Sequence, residues 1–371
     1  MDYLTSVRRV AAAAARPALG ALTFAFVLLL AACTPTEFPT RGWSGPAVGG
    51  DTVWVGSVDG HIFAVDRAAG QVRWRFPNDS QTGEDYATRG IYGTPLVSDG
   101  VLYVGAYNGR FYALDAASGD EKWKRHLDAS IIGGAALDNG VLYVGTSAGT
   151  LYALDPATGN VSWQKRLPKA IWSTPVLSAG TIYVTSMDQN LYALDPAAEG
   201  RERWVFNTEG AVTSTPVVVD GTVYFGAADK RFYAVDAQTG QERWRFTAQN
   251  WFWTQALVQS GTVYAGSLDY NFYALDAQTG QERWRFATQQ QIHGAPVAAG
   301  DLIAVGSYDG RVYGLNSQNG TKVWEYAAGG PVLAPLTFAD GVIYASSWEN
   351  DRLHAVNAVT GTAGWSVPIK K

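Results

Sequence analysis

From Trp43 onward the chain places its apolar residues in short runs separated by pairs or triplets of Gly, Asp, Asn and Thr. Thr222-Val-Tyr-Phe-Gly226 and Phe232-Tyr-Ala-Val-Asp236 are representative. Val, Tyr, Phe and Leu dominate, and successive residues are apolar. Little of this region shows the three-to-four spacing of an amphipathic helix. Runs of this kind predict short β-strands covered on both faces, bounded by tight turns.

The runs recur as a unit. The segment Phe232–Phe246 returns at Phe272–Phe286 with only Val235 replaced, by Leu275. Trp74, Trp123, Trp163, Trp204, Trp244, Trp284, Trp324 and Trp365 end successive units, at spacings of 49, 40, 41, 40, 40, 40 and 41 residues. In the fifth copy the order is Ser214-Thr215-Pro216-Val217, Asp220-Gly221, Thr222–Gly226, Phe232–Asp236, Thr239-Gly240 and Trp244. The turns divide each copy into four strands, A to D. Four-stranded units of ~40 residues, repeated four to eight times, predict a β-propeller. An open stack needs polar terminal repeats, yet the first copy keeps Asp66, Gly70 and Trp74, and the last keeps Gly361 and Trp365. The expectation is an all-β protein: an eight-bladed β-propeller of four-stranded antiparallel blades over residues 43–371.

The string Ala-x-Asp-x-x-Thr-Gly-x-x-x-Trp is similar to the tryptophan-docking motif of the propellers built from PQQ-like repeats, named for pyrroloquinoline quinone. Ala234, Asp236, Thr239, Gly240 and Trp244 match it fully, as do Ala274, Asp276, Thr279, Gly280 and Trp284. The resemblance covers nearly the whole chain after Gly42. It implies that the eight tryptophans dock each blade on the next, while Asp and Thr-Gly shape the C–D turn. Gly314 and Asn316 in copy seven, Asn357 in copy eight and an extra residue before Gly200 in copy four depart from the motif. Looser single joints are expected there.

Sameness marks scaffold, so function is sought where the copies differ. If strand A descends, the A–B and C–D turns share one face, and these are the uniform Asp-Gly and Thr-Gly turns. The B–C turns and D–A connections share the other face, which holds the variation. The position leading into strand A reads Trp43, Tyr92, Ile132, Trp172, Thr213, Trp253, His293 and Leu333. In a closed ring these eight surround the mouth of the central channel. The B–C turns add Tyr107, Asn108, Met187, Asp188, Tyr270, Tyr308, Trp348 and Glu349, and Trp251 joins from the sixth copy. The one long insertion, Pro77 to Arg89, falls on the same face. Trp and Tyr dominate interface hot spots, so this face is the candidate protein-binding surface; the alternative is that the rings plug the channel. His293 reads as a hydrogen-bonded rim residue.

Composition supports a globular chain: 47% hydrophobic, 16% charged and 13% aromatic, with 14 Trp and 41 Gly. The net charge of −5 argues against a nucleic-acid partner. The first 33 residues read as a lipoprotein signal peptide and are kept apart from the fold. Arg8, Arg9 and Arg16 precede an apolar run, Ala18–Ala32, that is shorter than the ~20 residues a membrane-spanning helix needs. Leu30-Ala31-Ala32-Cys33 resembles a bacterial lipobox, with Cys33, the single cysteine, as the acylated residue. Residues 34–42 read as a tether. The expected location is extracytoplasmic, on a bacterial cell or outer membrane, as a monomeric propeller.

Some propellers of the resembling family are dehydrogenases that hold PQQ and calcium in the funnel, using adjacent cysteines and several acids. This chain has no cysteine pair, and Asp188 and Glu349 stand alone. Asp59 and Asp309 belong to Asp-Gly turns, and His61, His126 and His354 lack metal-ligand spacing. No nucleophile elbow or phosphate loop is present. The expectation is a non-catalytic scaffold or adaptor without cofactor. Lipobox, tether and eight repeats together resemble the branch of the family that serves outer-membrane protein assembly. A PQQ- and calcium-dependent dehydrogenase, or a ligand-binding sensor, is the alternative.

Overall fold

A computed structural model describes residues 43–370. They form eight four-stranded antiparallel sheets arranged in a ring. Each sheet takes its strands in chain order, A-B-C-D, from one continuous stretch. In blade six these are Leu257–Gln259, Thr262–Gly266, Asn271–Asp276 and Glu282–Ala287. The only described helices are two short 3-10 turns, Glu84–Tyr86 and Pro196–Ala198. The first lies in the Pro77–Arg89 insertion, where Tyr86 packs on Phe76 at 5.9 Å and its hydroxyl accepts from Lys124 Nζ at 3.1 Å.

Strands B and C carry apolar residues in both directions because each sheet is covered twice. Thr222–Gly226 and Thr262–Gly266 are buried at every position. One apolar core fills each of the eight gaps between neighbouring blades. The last of them joins Val53, Val55, Phe63 and Val65 of blade one to Tyr344, Leu353 and Ala355 of blade eight. A lone blade would leave both faces wet. At about 1.5–3 kcal/mol for each fully buried large side chain, the stability resides in the gaps.

The repeated motif builds these joints. In the C–D turn of blade six, Asp276 Oδ1 accepts from the backbone N–H groups of Gln278 (3.0 Å) and Thr279 (2.9 Å) and from the Thr279 hydroxyl (3.0 Å). Its other oxygen takes Arg283 at 2.7 Å, which holds the carboxyl down to about 2. A β-bulge follows in all eight blades. In blade six Ala274 pairs with Trp284 and Leu275 with Glu282, so Arg283 is the extra residue, aimed back at Asp276 and Thr262.

Trp284 then crosses to blade seven, where its Nε1 donates to Ser317 O at 3.1 Å. Its ring lies so close to Gly320 that a Cβ there would meet Cε3 at 2.4 Å. Gly320 also has φ +71, a conformation that suits glycine. The same Trp-on-Gly contact occurs at all eight joints, ending with Trp365 on Gly70 of blade one. That last contact closes the ring. The seam is further held by Trp365 Nε1 to Arg67 O (3.0 Å), Arg67 to Tyr344 OH (3.0 Å) and Asp340 (2.7 Å), and Ser346 to Ser44 O (2.8 Å). Blade eight draws its outer strand, Ala363–Pro368, from the C-terminal end.

The departures at copies seven and eight do not loosen their joints, whereas the one at copy four does. Asn316 and Asn357 cap their turns as the aspartates do, with N–H donors at 2.9 to 3.2 Å. Trp324 still donates to Ala358 O at 3.0 Å, and Gly314 gives its ring room that an alanine Cβ would occupy. The looser contact is at copy four, where a Cβ on Gly200 would sit 3.0 Å from Trp163, against 2.4 to 2.7 Å elsewhere. A second irregular joint, between blades one and two, was not expected. At four joints a strand-B tyrosine and the docking tryptophan donate to one carbonyl, as Tyr224 OH and Trp244 Nε1 do to Ala277 O, both at 3.0 Å. Blade one has Trp54 at the tyrosine position. Its Nε1 donates to Ala116 O at 3.1 Å, and Trp74 Nε1 is left buried without a partner among the described residues.

Candidate functional site

The residues leading into strand A are aimed by their neighbours. One position earlier, Ile91, Ile131, Ile171, Phe252, Ile292 and Val332 are buried in the joints. Most of them press on a glycine at the end of the preceding blade's strand B. A Cβ on Gly226 would lie 2.1 Å from Phe252 Cβ, and one on Gly266 2.2 Å from Ile292. In extended backbone the next side chain turns the opposite way, into the lumen. Small residues then let the inner strands converge: a Cβ on Gly93 would be 2.5 Å from Gly133 O.

All eight predicted ring residues, Trp43, Tyr92, Ile132, Trp172, Thr213, Trp253, His293 and Leu333, line one cavity of about 440 Å³. The rings border this space and do not fill it. Trp43 and Tyr92 meet edge to face at 5.0 Å, and Tyr107 extends that group at 5.7 Å from Tyr92. Trp172 and Trp253 stand in blades four and six, yet their centroids are 6.2 Å apart. They meet across Thr213, whose short side chain leaves the space and whose hydroxyl donates to Trp253 O at 3.3 Å. His293 continues this wall, 6.1 Å from Trp253 and 5.9 Å from Tyr308.

The remaining predicted residues lie farther out. Trp348 borders a small crevice beside Trp43. Met187 and Trp251 are outside the lining of the central cavity. Trp251, Tyr270 and Tyr308 are 41%, 44% and 37% exposed, the most exposed of the described aromatics that are large and apolar. Tyr270 holds φ +74 at a turn position where blade seven has Gly310, φ +80. Cys33 lies outside the described residues.

The chemistry of the mouth is uncharged. Among the described residues its lining includes no Asp, Glu, Lys or Arg. His293 hydrogen-bonds Gln291 Oε1 at 2.9 Å, and burial pulls its pKa to about 4, so the ring is neutral at physiological pH. The acids nearby are engaged in turns: Asp188 accepts from Tyr192 OH at 2.7 Å, and Asp309 from Tyr313 OH at 2.7 Å and Gln289 N at 3.1 Å. His354 occupies the slot where blade six has Tyr273, bridging Ser347 Oγ (2.7 Å) and Tyr326 OH (3.0 Å). Among the described residues no group of three His, Cys, Asp or Glu is placed to hold a metal. Sequence reasoning missed Thr94, Thr174, Thr215 and Gln255, which line the cavity two positions beyond the ring. The signal was the variation at that position, which also holds Gly45, Gly134, Ala295 and Pro335.

A quinone bearing three carboxylates, with calcium beside it, needs counter-charges and oxygen-donor acids. The described lining residues supply neither, so these residues do not fit that cofactor.

Eight Trp-docked blades closed around a variable mouth define a PQQ-like repeat propeller. The chain belongs to the family described as outer membrane protein assembly factor BamB, which matches residues 37–131, 113–248, 196–292 and 273–370. Comparison with curated proteins gave no match. Among solved structures, the chain is similar to BamB from Moraxella catarrhalis, at 24% identity and TM-score 0.70 over 82% of this chain and 93% of that one. It is also similar to the computationally designed Ika8 protein, at 18% identity and TM-score 0.71 over 89% and 98%. A third match is quinohemoprotein alcohol dehydrogenase ADHIIG from Pseudomonas putida HK5, at 17% identity and TM-score 0.69 over 86% and 70%. At these identities the likeness is one of fold.

Proposed function

We propose that this protein is a non-catalytic scaffold, anchored by lipid at Cys33 on the outer side of a bacterial membrane, that holds protein partners in outer-membrane protein assembly. The observation that carries this reading is a group of exposed aromatic residues on the variable face of a scaffold whose joints are otherwise repeated. Membership of the BamB family supports the assembly role. Partners contact the exposed outer aromatics, Trp251, Tyr270 and Tyr308, because exposed rings on a rigid frame give contact area at low entropic cost. The dehydrogenase reading, raised by the shared fold, requires charged groups that the cavity lining does not provide.

Crosslinked pull-down from membranes tests it. Wild type captures discrete partners, and Trp251→Ala with Tyr308→Ala loses them while melting temperature is little changed. Dye reduction with an alcohol, dependent on added PQQ and calcium, would refute the scaffold reading. Labelling with a fatty-acid analogue that survives Cys33→Ser would refute the anchor.

A further inference from the structure

The lumen of the mouth has a chemistry distinct from the exposed aromatics around it. Two aromatic walls rise on opposite sides of the ring: Trp43 with Tyr92 from blades one and two, and Trp172 with Trp253 from blades four and six. The cavity of about 440 Å³ between them falls within the roughly 300–1,000 Å³ typical of small-molecule sites. Between the walls lie hydrogen-bonding groups without charge. Thr174 Oγ1 accepts from Gly134 N at 2.9 Å, and Thr215 Oγ1 from Thr174 N at 3.0 Å. Those bonds occupy oxygen lone pairs and leave each hydroxyl proton to donate. Gln255, at the same position in blade six, lines the cavity and makes no hydrogen bond to another described residue.

We infer that this cavity binds an uncharged sugar of one or two rings, stacked on the Trp172–Trp253 wall and hydrogen-bonded by Gln255, Thr174 and Thr215. Three ligand classes can be compared on desolvation. An ionised ligand gives up its hydration and meets no counter-charge. A wholly apolar ligand buries the threonine hydroxyls and the glutamine amide unpaired, at the desolvation cost of each group. A pyranose ring avoids both costs, since its C–H face covers the indole rings and its hydroxyl oxygens accept from the donors. The inference goes beyond the scaffold reading and uses inner residues only, so partner capture through Trp251 and Tyr308 succeeds or fails independently of it.

The test exposes the full chain to an array of neutral and acidic glycans, followed by calorimetric titration with cellobiose, maltose and glucuronic acid. Neutral sugars are expected to bind and glucuronic acid to fail. Gln255→Leu, which breaks no hydrogen bond to another described residue, is expected to weaken binding roughly tenfold, the equivalent of one lost hydrogen bond. Trp253→Ala is expected to abolish binding and the accompanying change in tryptophan fluorescence. Circular dichroism confirms that each variant is folded. Binding confined to acidic glycans, no binding of any neutral sugar at millimolar concentration, or affinity unchanged by Gln255→Leu overturns the inference. Capture of a tryptophan-containing tripeptide in place of sugars would make the cavity a socket for a partner's side chain, and equally overturn it.

Discussion

Replacing a docking tryptophan by phenylalanine should have unequal consequences at two joints of the same ring. Trp244 Nε1 donates to Ala277 O at 3.0 Å, whereas Trp74 Nε1 is buried with no acceptor among the described residues, and the equivalent carbonyl, Ala116 O, accepts from Trp54 Nε1. Both substitutions remove one ring of the indole, and that loss is common to them. Trp244→Phe also loses a hydrogen bond, about 1 kcal/mol net; Ala277 O stays satisfied by Tyr224 OH. Trp74→Phe instead relieves an unpaired donor, worth about 1–3 kcal/mol. The two variants should therefore differ by about 2–4 kcal/mol, with Trp74→Phe the more stable. For a ring of about 330 residues, at about 2.1 cal/mol/K per residue, that is roughly 3–6 °C in melting temperature. Differential scanning calorimetry, with urea midpoints as a second measure, reads the difference. Equal losses in the two variants would show that Trp74 has an acceptor and that the joint between blades one and two is ordinary. Trp54→Tyr gives a further check, since it restores the shared-carbonyl arrangement of four other joints and should stabilise the wild type.

Tyr270→Gly should stabilise the protein by about 1–2 kcal/mol, the cost of a non-glycine residue in the left-handed region, as read by chemical denaturation. Gly280→Ala should cost about 2–5 kcal/mol, since it adds that strain to a Cβ 2.5 Å from Trp244 Cε3; Gly221→Ala, φ +68 with its nearest neighbour at 4.0 Å, should cost only the strain. Burial holds His293 and His354 near 4, below the unfolded value of ~6.5. The unfolded chain therefore takes up protons that the folded ring refuses as pH falls from about 6.5 toward 4. Melting temperature should decline across that window, and His293→Gln should flatten the decline.

Blade number, strand order and the eight docking tryptophans were legible because each joint repeats the same chemistry, so Trp244 and Trp284 announce themselves by spacing. The circle of ring residues was legible too, since one position differs in every copy while its neighbours do not. What the sequence hid depends on contacts between copies. Nothing at Trp172 or Trp253 says that they meet across an intervening blade; that follows from the short Thr213 between them. The exchange of tyrosine for Trp54 is visible in an alignment of the copies, but its effect on Trp74 appears only once one carbonyl is seen to serve two donors. Asn316 and Asn357 read as defects because the motif was judged by charge, whereas their turns need only a side-chain oxygen.

Each blade is a continuous meander, and no strand is shared between the two ends of the described chain. The seam between blades eight and one is consequently a side-chain contact of the same kind as the other seven, with no privileged covalent order. A circular permutant that joins the two ends by a flexible linker and opens the loop between blades five and six should assemble the same torus. The polypeptide fixes only the sequence in which equivalent parts are issued, so blades can be gained, traded or reordered by tandem duplication without redesigning a closure.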